Sequence, residues 1–117
     1  MFLDEFSAFG ENWIAEFYQD RGFNLSSLLP DQFPVQRGTL NDLIGGDREA
    51  NAQIVQAILS GGERGPKRDA VLLNSAAALF VADKVRSMAD GWNLAAEVID
   101  SGAARQKLEA LVAASRQ

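Results

Sequence analysis

A long apolar segment between Pro66 and Val85 limits the folds open to this chain more than any other feature. From Ala70 to Ala82, every residue is apolar except Asn74 and Ser75. A helix with apolar side chains almost all round must be covered on most sides. A glycine precedes the segment and a proline opens it, which is typical of a helix start. We therefore predict a central, buried helix around which the other elements pack.

Asn74 is an amide in the middle of this apolar helix. A buried amide left without hydrogen-bond partners costs about 1 to 3 kcal/mol. Two interpretations remain open, a core amide that ties the helix to a neighbouring loop and a ligand contact. We favour the first, since buried polar side chains are generally satisfied by the protein itself.

The residues before this helix predict a β-hairpin. Aromatic and β-branched residues alternate partly with polar ones over residues 13–20, which predicts a strand with one buried face. A turn at residues 20–22 would return the chain antiparallel along residues 23–28. Residues 6–9 leave open a short third strand. The predicted sheet therefore has two or three strands.

From Thr39 onward the apolar pattern becomes helical. Thr39 and Asp42 resemble a capping box that opens a very short helix over residues 40–44, and Asp47 and Ser87 are predicted N-caps of longer helices. The positions expected to be buried on the flanking helices are Ala50, Ile54, Ala57, Ile58, Trp92, Ala95, Ala96, Ile99, Leu108, Leu111 and Val112. The chain is expected to form one α+β domain over residues 1–117, with four to five helices after the hairpin.

The composition excludes several kinds of function. Sixteen acidic residues against eleven basic ones give a net charge of -5, which disfavours binding to nucleic acid or to an anionic membrane. No apolar run is long enough to span a membrane. Without cysteine or histidine, the chain has no thiol or imidazole chemistry, and any metal must be held by oxygen. The first residues lack the basic region of a secretory signal, so a cytoplasmic location is expected.

Asp4 and Glu5 form an adjacent acidic pair ahead of the hairpin. Mg²⁺ takes oxygen ligands and commonly reaches a protein through one or two carboxylates together with substrate phosphates. Adjacent acids near a chain terminus are usually only solvated, so the pair by itself leaves a magnesium site and a solvated surface both open.

Three other patterns have a structural and a functional interpretation. The sequence Gly45-Gly46-Asp47 could bind phosphate at a helix start, but the Asp47 carboxylate would itself occupy that position as the cap. Residues 61–67, GGERGPK, lack the spacing of a phosphate-binding loop and are predicted to join two helices. The aromatic residues on the hairpin, Trp13, Phe17 and Tyr18, are expected in the core rather than on a binding face.

Several segments together resemble one known family. They are LDEFS at residues 3–7, the turn at residues 7–10, DLIGGD at residues 42–47, Asn51-Ala52, the central segment GPKRDAVLLNSAAALFVADKV, and WNLAAEVIDSGAARQKLEALV at residues 92–112. In sequence and order they resemble the C-terminal portion of anthranilate phosphoribosyltransferase. The resemblance covers essentially this whole chain but only the last part of the family's chain.

The resemblance implies that these residues belong to a larger α/β phosphoribosyltransferase domain. That family transfers phosphoribosyl from phosphoribosyl pyrophosphate to anthranilate, with loss of pyrophosphate, in tryptophan biosynthesis. Its DE pair, matched here by Asp4 and Glu5, binds Mg²⁺ at the diphosphate. Met1 and Phe2 stand where the family usually has DG before that pair.

Other parts of the family's active site would lie before the start of this sequence. These are the GTGGD loop for phosphoribosyl pyrophosphate, the KHGNR segment and an arginine that helps to hold anthranilate. We therefore expect the chain alone to be inactive. The alternative is a non-catalytic module that self-associates as a homo-oligomer through apolar surface left uncovered.

Overall fold

The computed structural model describes residues 5–116, and two antiparallel strands are followed in them by four α-helices. The strands are β1 (Asn12–Tyr18) and β2 (Gly22–Leu28). Two short 3₁₀ helices, Pro30–Gln32 and Leu40–Leu43, lie in the connection to the helical part. The helices are α1 (Arg48–Leu59), α2 (Pro66–Val81), α3 (Met88–Asp100) and α4 (Ala103–Ser115). This arrangement confirms the α+β prediction.

The sheet has two strands in the part of the chain that the structure describes. The strands pair in a regular antiparallel register, from Asn12 opposite Leu28 to Tyr18 opposite Gly22. Residues 6–9, the possible third strand, form bends and irregular structure instead. The two-stranded version of the prediction is therefore the correct one.

Two of the three aromatic residues predicted for the core, Trp13 and Phe17, point to solvent, while Tyr18 is half-buried on the other face of the strand. Trp13 is 80% exposed and Phe17 is 79% exposed, so the expectation that they belong to the core is wrong. Ile14 packs against the core instead. Successive residues of a strand face opposite sides, and a change of phase by one residue exchanges the two faces.

Helix α2 and helix α3 form the centre of the core. Leu73 and Ala76 on α2 are completely buried, and Trp92 on α3 is nearly so. The ring of Trp92 also lies 5.5 Å from that of Phe33, between ring centres, and so joins the connection after the hairpin to the helical layer. The prediction of a central helix is confirmed at this face.

Burial of α2 is less complete than its composition predicts. The side chain of Val81 is 85% exposed at its carboxyl end. The helix stops there in a left-handed turn at Asp83, whose φ is 54°. The N–H groups of Asp83 and Lys84 donate to the carbonyls of Phe80 and Leu79, which satisfies the last turn of the helix.

The predicted helix starts agree with the structure. The Asp47 carboxylate accepts the Ala50 N–H at 2.9 Å, and the Ser87 hydroxyl accepts the Asp90 N–H at 3.1 Å. On the last helix the expectation is wrong for Leu111, which is 65% exposed, and for Val112, which is 40% exposed, while Leu108 is half-buried. No helix within residues 5–116 is long and apolar enough to cross a membrane.

Candidate functional site

The acidic pair is the only predicted metal-ligand set, and the structure describes one of its two members. Asp4 lies outside the described residues. Glu5 is exposed at the start of an irregular segment that leads into β1. Its carboxylate is therefore accessible to solvent and to a ligand. Glu5 and the residues that hold its segment in place form the described part of the site.

Asn74 joins this segment to the central helix. Its Oδ1 accepts the N–H of Phe6 at 2.9 Å, and its Nδ2 donates to the carbonyl of the same residue at 3.0 Å. The Nδ2 group also donates to the carbonyl of Ala70, one turn earlier on α2, at 2.9 Å. The prediction of an amide that ties the helix to a neighbouring loop is confirmed. The loop is the one that carries Glu5.

Asn12 bonds the backbone of Ser7, the next residue in the chain, in the same way. Its Oδ1 accepts the N–H of Ser7 at 2.7 Å, and its Nδ2 donates to the Ser7 carbonyl at 3.0 Å. The Nδ2 group also lies 3.3 Å from the carbonyl of Leu28 at the end of β2. The N–H and C=O groups of two consecutive residues, Phe6 and Ser7, are thus all paired with side-chain amides. We call residues 5–7 with these two asparagines the clamped segment.

An open cleft of about 610 Å³ begins where the clamped segment ends. It is lined by residues 8–11, 29–31 and 35–38, and its charged side chains are Glu11, Asp31 and Arg37. The clamped segment therefore borders a depression of mixed charge.

Asp69 holds the part of the cleft wall that contains Gln36. Its carboxylate, near the start of α2, accepts the N–H of the lining residue Gln36 at 2.7 Å. The side chain is buried, and burial raises its pKa above the ordinary value of 3.8, although the Gln36 N–H acts in the opposite direction.

A neighbouring ion pair fixes the same end of α2 to the end of α3. Arg68 is 6% exposed in its side chain and lies 3.0 Å from the Asp100 carboxylate, which Arg64 also contacts at 3.2 Å. The first turn of α2 is therefore anchored both to the cleft wall and to α3.

The two glycine-rich patterns have structural roles. Asp47 caps α1, as predicted, and the Asn51 amide bonds both the N–H and the carbonyl of Gly46. Residues 61–67 connect α1 to α2, as predicted. Neither pattern joins the acidic pair in a common site.

Comparison with known families places the chain in a recognised class of transferase domains. Residues 2–105 match the family described as glycosyl transferase family, a/b domain. Because this match covers most of the sequence, the chain belongs to that family.

Individual relatives make the comparison more specific. The anthranilate phosphoribosyltransferase of Geobacter sp. (strain M21) is 47% identical over 115 residues, which are 98% of this chain and 32% of that protein. The enzyme of the same name from Methanobrevibacter smithii is 44% identical over 110 residues, 94% of this chain and 32% of that protein. The chain thus spans about a third of the length of the curated relatives it matches.

A solved structure agrees with these relatives. The crystal structure of anthranilate phosphoribosyltransferase from Thermus thermophilus superposes with a TM-score of 0.75 at 38% identity. The superposition covers 83% of this chain and 29% of that one. The resemblance read from the sequence is confirmed.

Proposed function

We propose that this chain forms the carboxyl-terminal part of an anthranilate phosphoribosyltransferase and supplies Asp4 and Glu5 as carboxylate ligands of Mg²⁺ at the diphosphate of phosphoribosyl pyrophosphate. The observation that carries the proposal is the match of 98% of this chain to about a third of such an enzyme. The complete protein would act with anthranilate in tryptophan biosynthesis, in the cytoplasm.

The donor chemistry of the segment fits a magnesium ion that is shared with a substrate. Glu5 is exposed and its backbone is held through Phe6. Within residues 5–116, no three acidic, histidine or cysteine side chains cluster as a metal cage. Mg²⁺ is commonly held by one or two carboxylates with the remaining positions taken by water and phosphate oxygens, so a pair at this place is sufficient.

The magnesium ion and the residues of this chain would have separate tasks in the transfer. When bound, the ion would neutralise the charge that develops on the departing pyrophosphate. The residues of this chain would hold the carboxylates in place relative to helix α2. The two substrates would thereby be held in a productive orientation.

We further propose that the chain does not catalyse the transfer without the rest of such an enzyme. The chain spans only about a third of the relatives. Adding the chain and Mg²⁺ to anthranilate and phosphoribosyl pyrophosphate should therefore leave the anthranilate fluorescence constant.

The proposed role is tested by calorimetric titration of phosphoribosyl pyrophosphate into the chain. We expect weak heat of binding that requires Mg²⁺ and is lost in the Asp4→Ala and Glu5→Ala variants. A matched control is Glu11→Ala, which removes an exposed acid from the cleft nearby and should bind as the unchanged chain does. Binding that does not require Mg²⁺, or that is retained in both the Asp4→Ala and the Glu5→Ala variants, would refute the metal role.

A second candidate function is self-association through the outer face of the hairpin. Four large apolar side chains share this face, and each is at least 63% exposed: Trp13, Phe17, Phe23 and Leu25. Phe17 stands directly opposite Phe23 in the register, so the exposed side chains form one patch. A two-stranded sheet with an uncovered apolar face is only marginally stable by itself, and a second copy of the chain would cover it.

The oligomeric state tests this second candidate. For self-association, light scattering after size exclusion should give a dimer mass that falls to that of a monomer in the double variant Trp13→Ser, Phe17→Ser. Val81→Ser is the matched control, since that valine is 85% exposed on α2. A monomer at all concentrations would exclude this second function.

A further inference from the structure

We propose that Asn74 is the positioning residue for the Glu5 carboxylate, an inference that rests on the proposed function of the acidic pair. The proposal assigns Asn74 a task beyond stabilising the fold. By holding the backbone of Phe6, it sets where the Glu5 side chain begins relative to the central helix.

The amide of Asn74 has a single orientation in this structure. Its Oδ1 accepts the Phe6 N–H. One Nδ2 hydrogen is donated to the Phe6 carbonyl and the other to the carbonyl of Ala70, which lies on α2 with Asn74. Both ends of the amide are therefore bonded, and the bond to Ala70 restrains rotation away from the loop. The side chain acts as a rigid extension of α2.

Peptide planarity carries this constraint to the acidic residue. The Phe6 N–H belongs to the peptide group that also contains the Cα of Glu5, and the atoms of a peptide group lie in one plane. The bond to Asn74 thus restrains the peptide group that contains the Cα of Glu5, and with it the point from which the Glu5 side chain departs. Without the bond, the plane could turn about the adjacent single bonds and carry the carboxylate with it.

The support beneath Asn74 is rigid. Its neighbour Leu73 is completely buried, as is Ala76 two residues further on. Side chains in close-packed interiors do not shift easily. Asn12 repeats the arrangement on Ser7, one residue further from Glu5, so its removal should disturb the carboxylate less.

The test uses Mn²⁺ as a paramagnetic substitute for Mg²⁺. Bound Mn²⁺ broadens nearby backbone amide signals in a proton–nitrogen correlation spectrum, and the titration midpoint reports the metal affinity without any need for catalysis. In the unchanged chain we expect broadening centred on residues 5–8. Glu5→Gln should abolish it.

For Asn74→Ala we expect the midpoint to move to about tenfold higher Mn²⁺, the lower end of the effect usually found when a residue that supports a metal ligand is removed. Asn74→Ser is a second variant in case alanine unfolds the chain. Its hydroxyl can still bond the Ala70 carbonyl but is too short to pair with both groups of Phe6. It should show the same shift.

Asn51→Ala is the matched control. That asparagine makes the same pair of bonds to a backbone, at 2.9 and 3.0 Å, but to Gly46 ahead of α1. Its removal should leave the Mn²⁺ midpoint unchanged.

The possible results separate the inference from the proposed function. Folded Asn74 variants with the unchanged midpoint, beside a Glu5→Gln variant that has lost the metal, would overturn the positioning role alone. An equal shift in Asn51→Ala would also overturn it, since the effect would then be one of general stability. Broadening that is indifferent to both Asp4→Asn and Glu5→Gln would refute the metal pair and the inference together.

Discussion

Helices α2 and α3 approach each other closely at Gly91, and an alanine there should destabilise the fold. A Cβ added at this residue would lie 2.8 Å from the Cα and 2.8 Å from the carbonyl oxygen of Ala76, and 3.0 Å from its Cβ. Carbon atoms in favourable contact are about 3.5 to 4.0 Å apart. Two of the three neighbours are backbone atoms, so only a shift of one helix can make room.

The expected magnitude follows from two opposed effects. Inserting a methyl group into a close-packed core costs about 1 to 3 kcal/mol. Replacing glycine by alanine inside a helix returns about 1 kcal/mol. Because backbone must move, we place the cost at the upper end and expect Gly91→Ala to lower the free energy of unfolding by about 2 kcal/mol. At about 4 °C per kcal/mol for a domain of this size, the melting temperature should fall by about 8 °C.

Urea unfolding followed by circular dichroism measures this change, with thermal melting as a second assay. Gly10→Ala is the control, because nothing lies within 4 Å of a Cβ built at that glycine. Its free energy of unfolding should change by no more than about 0.5 kcal/mol. If Gly91→Ala were as stable as the unchanged chain, the close crossing of α2 and α3 described above would be wrong.

Three further predictions concern charged side chains. Arg68→Ala should lower the free energy of unfolding by about 2 to 3 kcal/mol, since it removes a buried charged hydrogen bond to the Asp100 carboxylate, whereas Arg64→Ala, at an exposed site, should change it by less than about 0.5 kcal/mol in urea melts. For Asp69, burial raises the pKa above 3.8, so the native state holds the proton more tightly than the unfolded state. The unchanged chain should therefore lose stability relative to Asp69→Asn as the pH rises from 3.8, and a constant difference would contradict this. For Asp42, the bond from the Thr39 backbone N–H lowers the pKa below 3.8. Its stabilising effect relative to Asp42→Asn should be present above pH 3.8 and disappear as the pH falls below that value, which urea melts at several acidic pH values would detect.

The helical part could be predicted well because its boundaries are encoded locally. Asp47 and Ser87 cap helices in the structure as their sequence positions predict. Caps depend on hydrogen bonds within three residues, so the sequence nearby contains the information. Exposure of α4 could not be predicted in the same way. Whether Leu111 is covered depends on elements that are distant in sequence.

The hairpin shows a different limit. Alternation correctly predicted a strand near residues 13–20, but both of its faces carry apolar side chains. Pattern alone does not say which face turns inward, and the core accepts Ile14 rather than Trp13 and Phe17. The choice depends on the core residues elsewhere in the chain against which Ile14 packs.

The candidate site was partly visible in the sequence. The cost of burying an unpaired amide led to the prediction that Asn74 holds a loop, although the residue it holds, 68 positions away, could not be known. Asn12 was not predicted, because an asparagine at the start of a strand beside a turn is common and carries no signal of its own. Its partners became evident only from the path of residues 6–10.

The most direct test of the central claim is the turnover of a grafted enzyme. This chain would replace the segment it matches, 32% of the Geobacter sp. (strain M21) relative, and the initial rate of anthranilate fluorescence loss would be measured with phosphoribosyl pyrophosphate and Mg²⁺. We predict turnover that Glu5→Gln lowers by at least about a hundredfold and Glu11→Gln leaves unchanged. A folded graft whose rate is the same with Glu5→Gln, or that binds both substrates without turnover, would contradict the account.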